Sequence, residues 1–184
     1  TTLFRFVLQY SKNPAYAITA IPYMHHKDTD VRLAALRTIK STVAESTISL
    51  VSPIIDVMKE NQGVARELCI DILEKINDPI FVKPLLVLAP ELTPSERRLS
   101  EDLITKMGTL IIPTVVSVLN NSTISSISRS LAAKVLYRVA PEHFELIYPS
   151  LIAEEINVAE SIQKNELLLS VDSRNLSEMQ VLRR

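Results

Sequence analysis

The side chains that most often carry chemistry are sparse in this chain. It contains three histidines, His25, His26 and His143, and one cysteine, Cys69. Adjacent residues on a helix point about 100° apart, so His25 and His26 are poorly placed to chelate one metal ion. No histidine or Asn/Asp partner can be assigned to Cys69 from the sequence, which favours a buried structural thiol over a nucleophile.

Paired carboxylates and glycine-rich loops are other common signs of an active site. Glu101 and Asp102 are neighbours in sequence, as are Glu154 and Glu155, so on a helix the members of each pair face different directions. With only two glycines, the chain contains no phosphate loop, dinucleotide fingerprint, Gly-x-Ser-x-Gly or His-Glu-x-x-His motif. We therefore expect a protein that is not an enzyme and that holds no metal or cofactor.

Composition limits the class of protein further. The 184 residues are 47% apolar and 22% charged, which is typical of a globular chain and not of a disordered one. A net charge of −1 excludes a strongly basic surface, so no nucleic-acid partner is expected. No apolar run reaches 18 residues, so we expect no membrane insertion and a cytoplasmic location. The chain begins without Met inside an apolar pattern, which favours a segment of a larger protein over a trimmed N-terminus.

Prolines recur along the chain at nearly constant intervals. Pro22, Pro53, Pro84, Pro113 and Pro149 are separated by 31, 31, 29 and 36 residues, and each stands in an apolar setting. A proline is tolerated in the first turn of a helix, where the backbone N–H has no intrahelical partner. The spacing therefore predicts an internal repeat in which each unit contains a proline-bearing helix.

Four arginines set the register of the repeat: Arg32, Arg66, Arg97 and Arg129. Their separations are 34, 31 and 32 residues. Three positions after each arginine lies a small residue: Ala35, Cys69, Ser100 and Ala132. Seven positions after each lies a larger apolar residue: Ile39, Leu73, Ile104 and Leu136. These offsets fall on one stripe of a helix, and the small column predicts where two helices approach most closely.

Each unit therefore consists of a proline-bearing first helix, a polar turn and a second helix that carries the register arginine. Asp30, Ser95 and Ser125 are expected to cap second helices, because a side-chain oxygen there can accept an otherwise unpaired backbone N–H. The pair Asp78-Pro79 fits a cap followed by a first-turn proline.

A family resemblance follows from these motifs. The segment Asp28-Thr-Asp-Val-Arg-Leu-Ala-Ala-Leu-Arg-Thr-Ile39 resembles the second helix of a HEAT repeat, and the recurring proline resembles that of the HEAT first helix. The repeat length is similar to that of the compact HEAT-like units of bacterial proteins. The resemblance implies an all-α, ARM-type fold, a right-handed α-solenoid (α-α superhelix) of about five stacked antiparallel helix pairs.

The resemblance also implies a division of the chain. Residues 15–152 would form the HEAT-like repeat array. Residues 1–14 would be a truncated or capping helix of a preceding unit, and residues 153–184 a C-terminal capping helix and connector. A helix with one polar face is what the end of a solenoid requires.

In such an array the second helices line one concave face, and residues five, eight and nine positions after the register arginines point outward. The predicted partner-binding face consists of Arg37, Lys40, Asp71, Glu74, Lys75, Asp102, Lys106, Lys134, Tyr137 and Arg138. Its columns mix signs, whereas a groove that follows phosphates needs a basic stripe. The pattern suits a protein surface, and the alternative is an ordinary solvated face.

The register arginines have two interpretations, ligand capture or a structural bond to the turn of a neighbouring unit. Their recurrence in every unit favours the structural role, because a ligand rarely needs the same group everywhere. We thus predict a non-catalytic protein–protein interaction scaffold or regulatory module. Its partner would be another protein or an adjacent domain of the parent chain. The alternative, by resemblance alone, is a HEAT-like enzyme or enzyme subunit of bilin-lyase type that acts on a small molecule.

Overall fold

The computed structural model describes residues 19–43, 47–147 and 149. The predicted segments 1–14 and 153–184 lie outside the described residues. The chain divides into two compact units, Thr1–Pro141 and Glu142–Arg184. In the second unit residues 142–147 are helical. The elements that follow all belong to the first unit.

The described part of the chain is helical and contains no strand, which confirms the predicted all-α class. The α-helices are α1 (Thr29–Thr42), α2 (Val51–Glu60), α3 (Val64–Ile76), α4 (Val82–Leu88), α5 (Pro94–Thr105), α6 (Ile112–Leu119) and α7 (Ser126–Val139). Short 3-10 turns lie at Ile21–Tyr23, Ile48–Leu50, Pro79–Phe81, Ala89–Glu91 and Gly108–Ile111.

The recurring prolines stand in the first turns of α2, α4 and α6. Pro53 and Pro84 are the third residues of their helices and Pro113 is the second. The first four N–H groups of a helix lack intrahelical acceptors, so a residue without an N–H costs nothing there. A 3-10 turn directly precedes each of the three helices. The predicted first-turn position is confirmed for these three prolines, whereas Pro22 lies in the 3-10 turn Ile21–Tyr23 and not in the first turn of an α-helix.

The start of α7 is as predicted, whereas α1 starts two residues earlier than expected. Ser125 accepts a hydrogen bond from the backbone N–H of Ser128 (3.2 Å) and is the N-cap of α7. The prediction for α1 is wrong, because Asp28 caps that helix and its carboxylate accepts the N–H of Asp30 (2.9 Å). Asp28 has the extended backbone that an N-cap requires, and Asp30 already belongs to the first turn.

The N-cap of α5 is also two residues before the predicted one. Thr93, and not Ser95, caps the helix, and it forms a capping box with Glu96. Pro94 explains the difference, because the residue before a proline is disfavoured in the helical region and is therefore pushed out of the helix. Pro94 itself then occupies the first helical position, where proline is most favoured.

Each helix packs on a neighbour of its own kind, and several also pack closely on a helix of the other kind. The second helices form the series α1–α3–α5–α7 and the first helices form the series α2–α4–α6, each helix contacting the next. Short turns join α2 to α3 and α6 to α7, and both pairs pack closely, as in a helical hairpin. The two series together enclose the hydrophobic core.

The repeat columns lie in that core. Each member of the small column, Ala35, Cys69, Ser100 and Ala132, is 0% exposed. None of the members of the larger column, Ile39, Leu73, Ile104 and Leu136, is more than 1% exposed. Equivalent positions in different helices thus occupy equivalent environments, as the register predicts.

Candidate partner-binding face

We use the name second-helix face for the outward side of α1, α3, α5 and α7, which carries nine of the ten predicted face residues. The tenth, Lys106, directly follows α5. Most of their charged groups meet across neighbouring helices. Lys40 Nζ of α1 lies 2.6 Å from Asp71 Oδ2 of α3. Lys106, just after α5, pairs with Glu74 of α3. Lys75 Nζ donates to the backbone carbonyl of Lys40 at 2.6 Å.

Arg138 continues the pattern between α7 and α5. Its Nη1 lies 2.9 Å from Glu101 Oε1 and 2.8 Å from Asp102 Oδ1. Hydrogen bonds and the charges of these two carboxylates raise the pKa of Arg138, and Glu74 raises the pKa of Lys106 in the same way. The mixed signs of the predicted columns are therefore those of an ion-pair ladder, in which each pair joins consecutive second helices.

The remaining predicted residues stand apart from this ladder. Arg37 on α1 and Lys134 on α7 are exposed, on the first and last of the second helices. Tyr137 of α7 is 60% exposed, a large fraction for an aromatic side chain. The structure thus brings seven of the ten predicted residues into contact with one another or with Glu101, and Arg37, Lys134 and Tyr137 are not among these seven.

A groove of about 520 Å³ opens on the second-helix face between α3 and α5. Its apolar lining consists of Ile70, Leu99 and Leu103, of which Ile70 and Leu103 are each 5% exposed and Leu99 is 44% exposed. Its polar lining consists of Glu67, Asp71, Glu74, Asp102, Thr105, Lys106 and Arg138. Five predicted face residues therefore line one concavity.

Sequence reasoning missed the apolar part of this groove. A signal was present at Leu99, which lies two positions after its register arginine. The equivalent residues Ala34, Leu68 and Leu131 are between 2% and 8% exposed, whereas Leu99 is 44% exposed. The sequence places a leucine in that column without indicating that the neighbouring helices leave it uncovered.

The register arginines bind backbone carbonyls at the turns. Arg32 Nη1 donates to the carbonyls of His26 (2.8 Å) and Lys27 (3.1 Å). Arg97 Nη1 donates to the carbonyl of Leu92 (2.8 Å). These bonds go to the turn that precedes the arginine's own helix, so the expected bond to a neighbouring unit is wrong for Arg32 and Arg97. The planar guanidinium suits this role because several donors diverge from one rigid fork. Arg129 is half-buried in α7.

Arg66, unlike Arg32 and Arg97, reaches the next unit. Its side chain is 3% exposed, and its Nη1 lies 3.2 Å from the carboxylate of Glu96, whose side chain is 4% exposed. Arg66 also donates to the carbonyls of Met58 (2.7 Å) and Glu91 (2.6 Å). The same carboxylate accepts the N–H groups of Thr93 (2.8 Å) and Gly63 (3.2 Å). This buried cluster joins the turn before α3 to the turn before α5.

Two buried groups in this region have shifted pKa values. Burial alone would raise the pKa of Glu96, but the bonds from Thr93 and the charge of Arg66 outweigh it and lower the value. Burial raises the pKa of the Cys69 thiol to about 12, with a smaller opposing effect of Arg66. Cys69 is therefore a protonated packing residue at neutral pH, as its place in the small column predicts.

The remaining candidate groups form no cluster suited to metal binding within the described ranges. His25 Nδ1 lies 2.7 Å from a carboxylate oxygen of Glu60, and His26 Nδ1 accepts the N–H of Asp28 at 3.1 Å. Over those same ranges, no single helix has the length and apolarity to cross a membrane. Within the described residues, only the pair formed by α5 and the segment Gly108–Leu119 reaches that length and apolarity, and the two are bent by 110° relative to each other.

Comparison of the chain with protein-family models, with curated proteins and with solved structures yields no significant match. The interpretation of the face therefore depends on its own geometry.

Proposed function

We propose that this protein is a non-catalytic scaffold or regulatory module that binds a partner protein on its second-helix face. The single observation that carries the proposal is the groove between α3 and α5. In this groove the half-exposed Leu99 lies beside charged residues that the register of the repeat identifies from the sequence alone. An apolar anchor inside a polar rim is the usual composition of the energetic centre of a protein interface.

The architecture that we propose for this role is a right-handed α-solenoid of HEAT-like helix pairs. The support is the series of contacts α1–α3–α5–α7 and α2–α4–α6, in which each helix packs on the next of its kind. A stacked array of this sort has contacts mainly between adjacent units and exposes one long face of each helix series. An extended face of second helices suits a protein segment better than an enclosed small molecule.

The ion-pair ladder fits a binding role as well as a structural one. Its side chains are substantially exposed, with Lys106 at 64% and Asp71 at 42%. Water screens such pairs, so a partner can exchange one protein charge for another at little cost. We therefore infer that the ladder provides specificity and that the apolar lining of the groove provides most of the affinity.

The test is site-specific photo-cross-linking in the cells that produce the protein. A photoreactive residue is placed at Leu99 or Tyr137 on the second-helix face. The control positions are Ile80, in the 3-10 turn before α4, and Ser117 of α6. We expect discrete cross-linked products from the two second-helix positions and none from the controls. Equal products from both sets of positions, or none from either set, would refute the proposal.

A charge reversal at the face makes the test specific. We expect the variant Arg37→Glu, Glu74→Lys, Lys134→Glu to remain folded, because all three residues are exposed and the Glu74–Lys106 ion pair that it removes is also exposed. We expect it to abolish the product formed from Tyr137 and to leave far-UV circular dichroism unchanged. Cross-linking that continues unchanged in this variant would show that the contact does not depend on the face.

A further inference from the structure

The walls of the groove differ in chemistry. On α3 the carboxylates of Glu67, Asp71 and Glu74 recur at four- and three-residue intervals, which places them on one face of the helix. On α5 the opposite wall presents Leu99 and Leu103, four residues apart. The α3 wall is thus mainly acidic, whereas the α5 wall combines these leucines with the polar groups of Asp102, Thr105 and Lys106.

The acidic wall has one carboxylate outside the ladder. Asp71 is paired with Lys40 and Glu74 with Lys106. Among the residues that the structure describes, no ion pair involves Glu67, which is exposed. Glu67 is therefore free to accept a charged group from outside the molecule.

The lining of the groove carries an excess of negative charge. Four carboxylates line the groove and only two cationic side chains do, those of Lys106 and Arg138. Three charged groups of the ladder lie just outside the groove, Lys40, Lys75 and Glu101, and they reduce the negative excess without removing it. The groove therefore attracts cations and repels anions, and this effect is strongest at low ionic strength.

We propose that the groove binds an amphipathic, basic segment of a protein partner. One apolar side chain of the segment packs on Leu99, and a lysine or arginine beside it pairs with Glu67. The acidic wall from Glu67 to Glu74 covers eight residues, a rise of about 10 Å along the helix, which matches two turns of a partner helix. This inference rests on the proposed function, because it names the chemistry of the partner that the second-helix face would bind.

The experiment uses three synthetic 14-residue helical peptides that carry a fluorophore. The first has leucines at i and i+4 with flanking arginines, the second has glutamate in place of every arginine, and the third is the basic peptide with serine in place of leucine. Binding to the full chain is followed by fluorescence anisotropy. We expect saturable binding of the first peptide alone, weakening as salt is raised.

Two variants with matched controls locate the binding site. Leu99→Ser should weaken binding of the basic peptide about tenfold or more, as loss of an interface anchor does. Glu67→Gln should weaken it about two- to fivefold, as loss of one exposed ion pair does. Leu110→Ser and Glu91→Gln remove an exposed leucine and an exposed carboxylate outside the groove, and they should leave binding unchanged. Urea denaturation of each variant verifies that it is folded.

The inference is overturned if the acidic peptide binds as tightly as the basic one, or if Leu99→Ser and Glu67→Gln both bind like the unmodified protein. Its failure is distinguishable from that of the proposed function. If these two variants leave cross-linking from Tyr137 intact, the face binds its partner elsewhere, and only the groove assignment is lost. If the charge reversal at Arg37, Glu74 and Lys134 also leaves that cross-link intact, the proposed function is lost with it.

Discussion

Replacing Glu96 by alanine should destabilise the protein more than any other single removal of a carboxylate among the described residues. The carboxylate is 4% exposed and accepts bonds from Arg66, Thr93 and Gly63. Removing one partner of a buried ion pair leaves the other charge uncompensated, at a cost of about 3–5 kcal/mol. Arg66 keeps its bonds to the carbonyls of Met58 and Glu91, so we expect about 3 kcal/mol, the lower end of that range.

Urea denaturation measures this loss as a lower urea concentration at the unfolding midpoint, while the slope of the free energy of unfolding against urea concentration stays constant. Asp56→Ala is the matched control, because Asp56 belongs to an ion pair with Lys59 whose side chains are 49% and 53% exposed. The midpoint of the control should move far less than that of Glu96→Ala. The double variant Arg66→Met, Glu96→Leu should recover much of the loss, because an apolar pair leaves no buried charge.

The pH dependence of the stability difference between the protein and a Glu96 variant tests whether that difference is electrostatic in origin. The pKa of Glu96 is lower in the folded protein than in the unfolded chain. The contribution of Glu96 to the free energy of unfolding is therefore complete above the unfolded pKa of about 4.3. It is lost as the pH falls through the folded value. The stability gap between the protein and Glu96→Gln should therefore narrow below about pH 4.3. A gap that is equal at pH 7 and pH 3, or a midpoint shift no larger than that of Asp56→Ala, would refute the reasoning.

Other predictions concern the core and its thiol. Leu73→Ala and Leu136→Ala should each cost about 2–5 kcal/mol in urea denaturation, whereas Leu110→Ala, at a side chain that is 66% exposed, should cost little. Equal effects at buried and exposed leucines would contradict the assigned stripe. Ala132→Leu should cost about 1–3 kcal/mol by overpacking the small column, and a neutral or stabilising result would show that the helices do not meet closely there. Cys69 should resist a thiol reagent in the native protein and react after unfolding; rapid native reaction would contradict its burial.

The features that the sequence predicted correctly are set locally. Pro53 marks the start of a helix because a ring nitrogen without hydrogen suits the first turn whatever surrounds it. The column of Ala35, Cys69, Ser100 and Ala132 could be predicted because period and residue size are both visible in the sequence. The error at Ser95 was avoidable, since Pro94 restricts the residue before it and Thr93 begins a Thr-x-x-Glu capping box.

The features that were missed depend on how neighbouring helices meet. Glu96 was not foreseen as a partner of Arg66, because the capping box that orients it belongs to a different unit 30 residues away. Predicting the ion-pair ladder would have required knowing that Asp71 and Glu74 lie opposite cations from adjacent helices. The exposure of Leu99 depends on what the chain leaves uncovered, and composition and period carry no information about that. The ten predicted face residues remain a hypothesis about binding.

The central claim is that each unit stacks on the one before it, and distances between spin labels test it most directly. Labels are attached to cysteines introduced at the equivalent positions Arg37, Asp102 and Lys134, of which Asp102 is half-buried, and buried Cys69 remains unlabelled. Adjacent packed helices lie about 8–10 Å apart, so the stack predicts about 20 Å from Arg37 to Asp102 and about 30 Å from Arg37 to Lys134. An Arg37–Lys134 distance equal to or shorter than the Arg37–Asp102 distance would contradict the stacked repeat.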